Sequence, residues 1–237
     1  NARQVRQWMI DQGAKADRID VVYMGQDTEL LNPTRFDRSA ARVRLGISGD
    51  TPVLLFPARL EPQKRPRFLL EILAQLRAAG LAFVCLIAGD GPQRRLVESA
   101  IRHFNLKEAV RLLGAVPSNQ MPELYAAADI VMLPSQNEGI ALAVYEGMAM
   151  EKPIVAAAVG GQPEVVAAGT GVLVPLADGE FDLYVSALSE LISDAEKRKA
   201  MGAAARQHIG SAFSIQHMTD QMQNAFQRAI DLNATAP

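Results

Sequence analysis

Residues 83–92 read Phe83-Val84-Cys85-Leu86-Ile87-Ala88-Gly89-Asp90-Gly91-Pro92, an unbroken apolar run that ends in a glycine-rich turn. An apolar run with no polar alternation predicts a strand covered on both faces, and Gly and Pro directly after it mark a turn. The same unit repeats outward in both directions. Upstream, Val53-Leu54-Leu55-Phe56 is a short apolar strand, and 66–79 is an amphipathic helix that stops before Gly80. Downstream come a helix over 93–103, a strand over 109–112, a helix over 119–127 and a strand over 129–133. The loop 134–140 then leads to a helix over 141–149, a strand over 153–157, a short helix near 162–167 and a strand over 171–174. Helices fill the rest, over 179–193, 195–208 and 214–231. Strands alternating with helices and joined by right-handed crossovers predict an α/β fold, a Rossmann-like, doubly wound parallel sheet.

The segment before the repeat is shorter and less regular. Val5, Met9 and Ile10 stand at helical spacing within 3–13, and Gly13 stops that helix. Ile19 to Tyr23 predicts a strand, the turns Gly25-Gln26-Asp27 and Asn32-Pro33 follow, and a helix over 37–45 ends at Gly46. Asn233 to Pro237 predict a frayed tail. The chain has 237 residues, is 49% hydrophobic and 21% charged, and carries a formal charge of −2. That balance gives no reason to expect nucleic acid or an anionic membrane as partner, so any useful positive charge must be local. Cys85 stands alone in its apolar run, which excludes an internal disulfide and a cysteine metal cluster and accords with a reducing compartment. No apolar stretch approaches the ~20 residues needed to span a bilayer. The amino end does not resemble a signal peptide. It lacks a starting Met and enters a helix at once, as expected of an excised fragment.

In a doubly wound sheet, ligands sit at the carboxyl ends of the strands, here the loops 57–65, 89–92, 113–118, 134–141 and 158–163. The first carries Arg59 and Lys64 just before a helix. Arg can grip two phosphate oxygens with its planar fork and Lys acts as a point charge, so the pair suits a diphosphate; a solvated basic loop has the same composition. The fourth loop and the helix after it carry Glu138 and Glu146. Gly139 lets the backbone approach a ligand, and the free amides of the helix start would face a phosphate or sugar oxygen. Glu146, about two turns into the helix, is an acceptor able to take both ribose hydroxyls. A helix-start charge and a surface residue are the plainer readings of the two glutamates. Against them, Glu146 lies among Val144, Tyr145, Met148, Ala149 and Met150, where a carboxylate needs a partner. Gly89-Asp90-Gly91-Pro92 does not match GxGxxG, and Gly160-Gly161-Gln162-Pro163-Glu164 marks another tight turn. His103, His208 and His217 are scattered, with no metal-ligand spacing. No P-loop, no GxSxG elbow and no Asp-x-Asp pair is present, so a metal-bridged diphosphate is not expected.

Taken in order, several of these motifs resemble the retaining glycosyltransferases of the GT-B type that include glycogen synthases, sucrose synthases and mannosyltransferases. They are Met24-Gly25-Gln26-Asp27, Ala58-Arg59-Leu60 with Lys64, Gly89-Asp90-Gly91-Pro92, Leu113-Gly114 with Val116, Pro134-Ser135, Glu138, Glu146, Met148-Ala149 and Gly160-Gly161-Gln162-Pro163-Glu164. The likeness covers about residues 20–175, and the two glutamates separated by seven residues are its most specific part. The resemblance implies the carboxy-terminal, donor-binding half of a GT-B fold. Residues 1–46 would be connector and edge elements from an inter-domain region, 47–212 the Rossmann-like nucleotide-sugar-binding domain, and 213–237 a helix crossing toward an amino-terminal domain.

By the same resemblance, Arg59 and Lys64 would bind the donor diphosphate and stabilise the leaving group. Glu138, with the amides of Gly139, Ile140, Ala141 and Leu142, would hold the sugar and the distal phosphate. Glu146 would bind the ribose, and Val116 with Ala115 would meet the base. The family retains anomeric configuration and needs no metal or other cofactor. The partners implied are a nucleotide sugar and, through the amino-terminal domain, an acceptor glycan or lipid. The location implied is cytoplasmic, with peripheral attachment at the inner membrane face left open. The isolated chain is expected to bind donor and to turn over poorly, with an exposed apolar face where the other domain would lie. Ala58 stands in place of a usual Gly, Arg65-Pro66 in place of a Gly after the Lys, Ile140-Ala141 in place of Phe-Gly or Tyr-Gly, and Gly147 in place of Ala. A non-catalytic nucleotide-binding domain, a GT-B-type sugar-nucleotide epimerase and a Rossmann-fold oxidoreductase are the competing readings.

Overall fold

Six apolar runs pair into one parallel sheet in the computed structural model, which describes residues 3–234. The strands are β1 (Val53–Phe56), β2 (Val84–Ala88), β3 (Val110–Gly114), β4 (Ile130–Leu133), β5 (Ile154–Ala157) and β6 (Gly171–Val174). Their order is β3-β2-β1-β4-β5-β6, with Leu54 opposite Cys85 on one side and Ile130 on the other. The helices are α1 (Arg3–Asp11), α2 (Arg38–Arg44), α3 (Pro66–Ala78), α4 (Arg94–His103), α5 (Met121–Ala127), α6 (Leu142–Ala149), α7 (Gln162–Val165), α8 (Glu180–Ser193), α9 (Ala195–Ala212) and α10 (Ile215–Ala234). This is the doubly wound Rossmann-like arrangement expected from the pattern of apolar runs.

Alternation along each strand splits the core between the two faces. Leu54, Phe56, Cys85, Ile87, Ile130 and Met132 pack under α3, α4 and α8. Val53, Leu55, Leu86, Val131 and Ile154 pack under α5, α6 and α9. Both sides of the central strands are therefore dry, which is why their sequences carry no polar alternation. Cys85 is fully buried and burial pushes its thiol up to about 12. Helix boundaries follow local chemistry. Asp37 accepts from the Ala40 N–H to open α2, Asp194 accepts from the Lys197 N–H to open α9, and Pro66 occupies the first turn of α3.

Residues 19–23 form no strand. Their apolar side chains are satisfied by packing instead of by a ladder: Tyr23 sets its ring edge-on to Phe213, with centroids 5.4 Å apart. Pairing begins only afterwards, where the Gln26 N–H donates to the Phe213 carbonyl at 2.7 Å and Gln26 bridges Ser214. Helix α10 also takes in Asn233 and Ala234, which the sequence predicts as tail; residues 235–237 lie outside the described residues. Two helices carry apolar side chains that nothing in the described residues covers. Trp8 on α1 is 63% exposed, and Met222, Phe226 and Ile230 line up at helical spacing on α10. Helix α1 is anchored at its start, where the Arg3 N–H donates to both oxygens of Glu164 at 2.9 and 3.0 Å. The Tyr23 hydroxyl donates to the same carboxylate.

Helix α9 contains two glycines in opposite situations. A Cβ on Gly202 would stand 2.1 Å from the Glu151 carbonyl oxygen, whereas one on Gly210 would meet open space. Gly202→Ala should therefore lower the free energy of unfolding by about 1–3 kcal/mol through overpacking. Gly210→Ala should raise it by about 0.5–1 kcal/mol through helix propensity. Urea denaturation of both variants measures the two signs.

Candidate functional site

The chain reverses its winding at β1. It moves outward through β2 and β3 under α3 and α4, then returns to add β4 on the other side of β1. The loops leaving β1 and β4 therefore emerge side by side while their helices depart to opposite faces, which opens a crevice at the carboxyl edge of the sheet. Backbone hydrogen bonds join these loops directly: the Gln136 N–H donates to the Gln63 carbonyl at 2.8 Å. The loop after β2 lies on top of the first. The Leu60 N–H donates to the Asp90 carbonyl and the Gln93 N–H to the Leu60 carbonyl, both at 2.9 Å. Only glycine permits this contact, because a Cβ on Gly89 would fall 1.9 Å from the Ala58 oxygen.

At the crevice lies a cavity of about 460 Å³, within the size range of small-molecule sites. Arg59, Glu146 and Val116 line it with Asp90, Met121 and the start of α6 at Leu142 and Ala143. Ala141 opens α6 with no side-chain cap, so the first amides of that helix have no protein side chain to satisfy them. Arg59 is extended into solvent, 70% exposed, and its guanidinium meets Glu61 at 2.6 Å. Asp90 accepts from its neighbour Gly91 at 2.7 Å and pairs with Arg94 at 2.8 Å; the Gly91 amide is the main reason its carboxyl lies below the usual range.

Lys64 and Glu138 do not line this cavity; they form a pair of their own, Lys64 Nζ donating to Glu138 Oε1, with only 14% and 9% of the side chains exposed. The sequence singles out both residues without indicating that they touch. Glu138 is held from below by α7's turn: the Gly161 N–H donates to the Gly139 carbonyl at 2.5 Å. A Cβ on Gly160, where φ is +56°, would come 1.7 Å from the Glu138 carbonyl oxygen, so both the conformation and the approach require glycine. No protein atom lies within 4 Å of a Cβ placed on Gly139. Ile140 and Ala141, half-buried, pack on the core beneath.

Two departures from the family pattern now have physical explanations. Arg65 adopts a left-handed conformation, φ 52° and ψ 49°, which glycine takes at no steric cost. Here the side chain compensates, with a two-pronged bond to Glu180 at 2.5 and 3.0 Å and its guanidinium 3.8 Å above the Phe68 ring. Gly147 lets α6 sit down on the sheet, since a Cβ there would come 2.9 Å from Ile154 and 3.0 Å from Val131. Glu146 is the fifth residue of α6, a little over one turn in and nearer its start than the sequence suggests. Its partner is Tyr125, whose hydroxyl donates to Oε2 at 2.7 Å. Tyr125 and Asp90 are the site residues that sequence reasoning missed. No local signal identifies Tyr125, because it lies 21 residues from Glu146 on another helix.

The two cations should behave differently in a stability measurement. Lys64→Ala leaves the Glu138 carboxylate enclosed and unpaired, and on the order of 3 kcal/mol of unfolding free energy should be lost. Arg59→Ala removes a solvent-exposed ion pair and should change stability by less than about 1 kcal/mol. Equal effects in urea denaturation would contradict the enclosed pair.

Comparisons with known proteins bear on the fold and the family. The family described as Glycosyl transferases group 1 matches residues 37–208. The D-inositol 3-phosphate glycosyltransferase of Stackebrandtia nassauensis is 33% identical over 94% of this chain and 52% of its own length. A GDP-mannose-dependent monoacylated alpha-(1-6)-phosphatidylinositol monomannoside mannosyltransferase of Corynebacterium glutamicum is 33% identical over 86% of this chain and 54% of its length. This chain thus spans about half the length of the relatives it matches. Among solved structures, Anabaena HepE in complex with UDP and glucose superposes with a TM-score of 0.83 at 25% identity, over 96% of this chain and 61% of that one. A glycosyltransferase of Rickettsia africae ESF-5 shares the fold, with a TM-score of 0.85 at 22% identity over 96% and 62%. A Rossmann-like sheet, a cavity at its winding reversal and a family match over most of the chain lead to one assignment: the chain belongs to the glycosyl transferases group 1.

Proposed function

We propose that this chain is the donor-binding half of a retaining, metal-independent glycosyltransferase that takes a nucleoside-diphosphate sugar. The observation that carries this reading is the cavity at the winding reversal. Arg59, Glu146, Val116 and the uncapped start of α6 at Leu142 and Ala143 all line it. In this reading Arg59 and Lys64 hold the diphosphate and offset the charge that grows on it as the glycosidic bond breaks. Both are cations on a strand-end loop, so no metal is required to supply that charge. Glu138 with the backbone from Gly139 to Leu142 receives the sugar. The open space around Gly139 supports this, because packing within the protein does not demand a glycine there. Glu146 accepts from the ribose hydroxyls, and Ala115 and Val116 border the base.

Residues 47–212 constitute the donor domain in this proposal, with residues 1–46 and 213–237 as elements that join it to the remainder of a longer enzyme. An acceptor glycan or lipid would be held by that remainder. The exposed apolar side chains of α1 and α10 support such a division, since apolar surface of this kind marks a contact face. The location proposed is cytoplasmic; no described helix is long and apolar enough to cross a membrane.

Calorimetric titration of the purified chain with UDP, GDP and ADP, without added metal, tests the reading. One nucleotide should bind, and Arg59→Ala or Glu146→Ala should each weaken it by roughly 1.5–3 kcal/mol, about one to two decades in Kd. Glycosyl transfer by the chain alone should be slow or absent, because in this reading the remainder of a longer enzyme would hold the acceptor and contribute groups to the reacting centre. Failure of all three nucleotides to bind, or rapid turnover by the chain alone, would overturn the respective part of the proposal.

A further inference from the structure

Glu146, half-buried, lines the cavity from a helix whose buried residues offer its carboxylate no hydrogen bond, and a flexible carboxylate in that setting has many rotamers to lose when it engages a ligand. Helix α5 supplies what would hold it. Met121 lines the same cavity, and Tyr125, one turn further along the same face, is fully buried with its hydroxyl 2.7 Å from Glu146 Oε2. Among the described residues, Glu146 Oε1 has no hydrogen-bond partner. One carboxylate oxygen is thus tethered within the protein and the other is left for the cavity. Burial, and then the neighbouring carboxylate, push the Tyr125 phenol well above its ordinary value, so it remains a donor at neutral pH.

We propose that Tyr125 is a positioning residue that pins one oxygen of Glu146 and presents the other to the ribose of the nucleotide. The proposal rests on the reading of Glu146 as the ribose acceptor. It assigns to an apolar-looking core position a direct part in how the site tells a ribose from a deoxyribose. Position 145 provides an internal control. Tyr145 is equally enclosed and adjacent to Glu146 in sequence, but its hydroxyl has no partner. The same Tyr→Phe change can therefore be made at both positions, with a Glu146 bond lost at only one of them.

The test is calorimetric titration of the whole chain with UDP, GDP and ADP, each beside its 2′-deoxy counterpart. Wild type should prefer the ribose form by roughly tenfold, as expected for one hydrogen bond to a charged acceptor. Tyr125→Phe should reduce that preference to about twofold by weakening the ribose form more than the 2′-deoxy form, which keeps only its 3′-hydroxyl to offer Glu146, since the tether and not the acceptor is removed. Tyr145→Phe should leave both forms as in wild type, and Glu146→Ala should abolish the preference. Adding Tyr125→Phe to Glu146→Ala should change nothing further, because residues acting through one interaction are not additive. That comparison holds even where Tyr125→Phe lowers the melting temperature. Full ribose preference in Tyr125→Phe, with loss in Glu146→Ala, would overturn the positioning role and leave the ribose reading intact. Full preference in Glu146→Ala, or no nucleotide bound by wild type, would overturn the ribose reading and this proposal together.

Discussion

The adjacency of β1 and β4 is the constraint on which the rest of the site depends. Two parallel strands that are neighbours in space but far apart in the chain must send their loops the same way and their helices to opposite faces. Everything chemical in this domain follows from that divergence. The basic loop after β1 and the glutamate loop after β4 meet through Gln63 and Gln136, Lys64 reaches Glu138, and α6 begins with bare amides at the opening.

Close packing of backbone then converts that adjacency into a defined shape. Gly89, Gly147 and Gly160 each stand where a methyl group would overlap a neighbour, so three separate layers are drawn together around the crevice. The chain also bears local costs there. The Ser135 hydroxyl, on the glutamate loop, and the Gln162 amide, beside the turn beneath Glu138, are buried with no protein partner, and each such group costs about 1–3 kcal/mol. Arg65 holds a left-handed backbone that a glycine would adopt freely, and its bonds to Glu180 offset the strain. Departures from local preference thus gather at the mouth of the sheet, where a binding site tolerates what a plain core would not.

How much of this was legible in the sequence depends on how local its cause is. Central strands buried on both faces declare themselves through unbroken apolar runs, and even the partly buried edge strands β3 and β6 keep enough apolar residues that all six begin at Val53, Val84, Val110, Ile130, Ile154 and Gly171, within a residue or two of expectation. The run Ile19 to Tyr23 has a strand's composition without a strand's neighbour. A ladder partner is a property of the tertiary fold, and here Phe213 and Glu164 met the needs of Tyr23 instead. At the candidate site, residue type and position single out Arg59, Lys64 and Glu138 on loops at the carboxyl edge of the sheet and Glu146 on the helix that follows. Pairing did not follow from those signals. Lys64 lies 74 residues from Glu138, and Tyr125 reaches Glu146 from another helix. Arg65 looked like a flaw in a motif and is a tie between the basic loop and α8.

The pairing of Lys64 with Glu138, of Arg59 with Glu61 and of Arg94 with Asp90 means that each of these cations has an anion of the protein's own beside it. The crevice also carries the Glu146 carboxylate, whose partner is the Tyr125 hydroxyl and not a cation, so these side chains together offer no net positive charge to draw in an anion from a distance. In the proposed function a diphosphate would have to take these cations from carboxylates that are part of the protein and not from mobile salt. Capture of that kind would depend on short-range fit more than on long-range attraction.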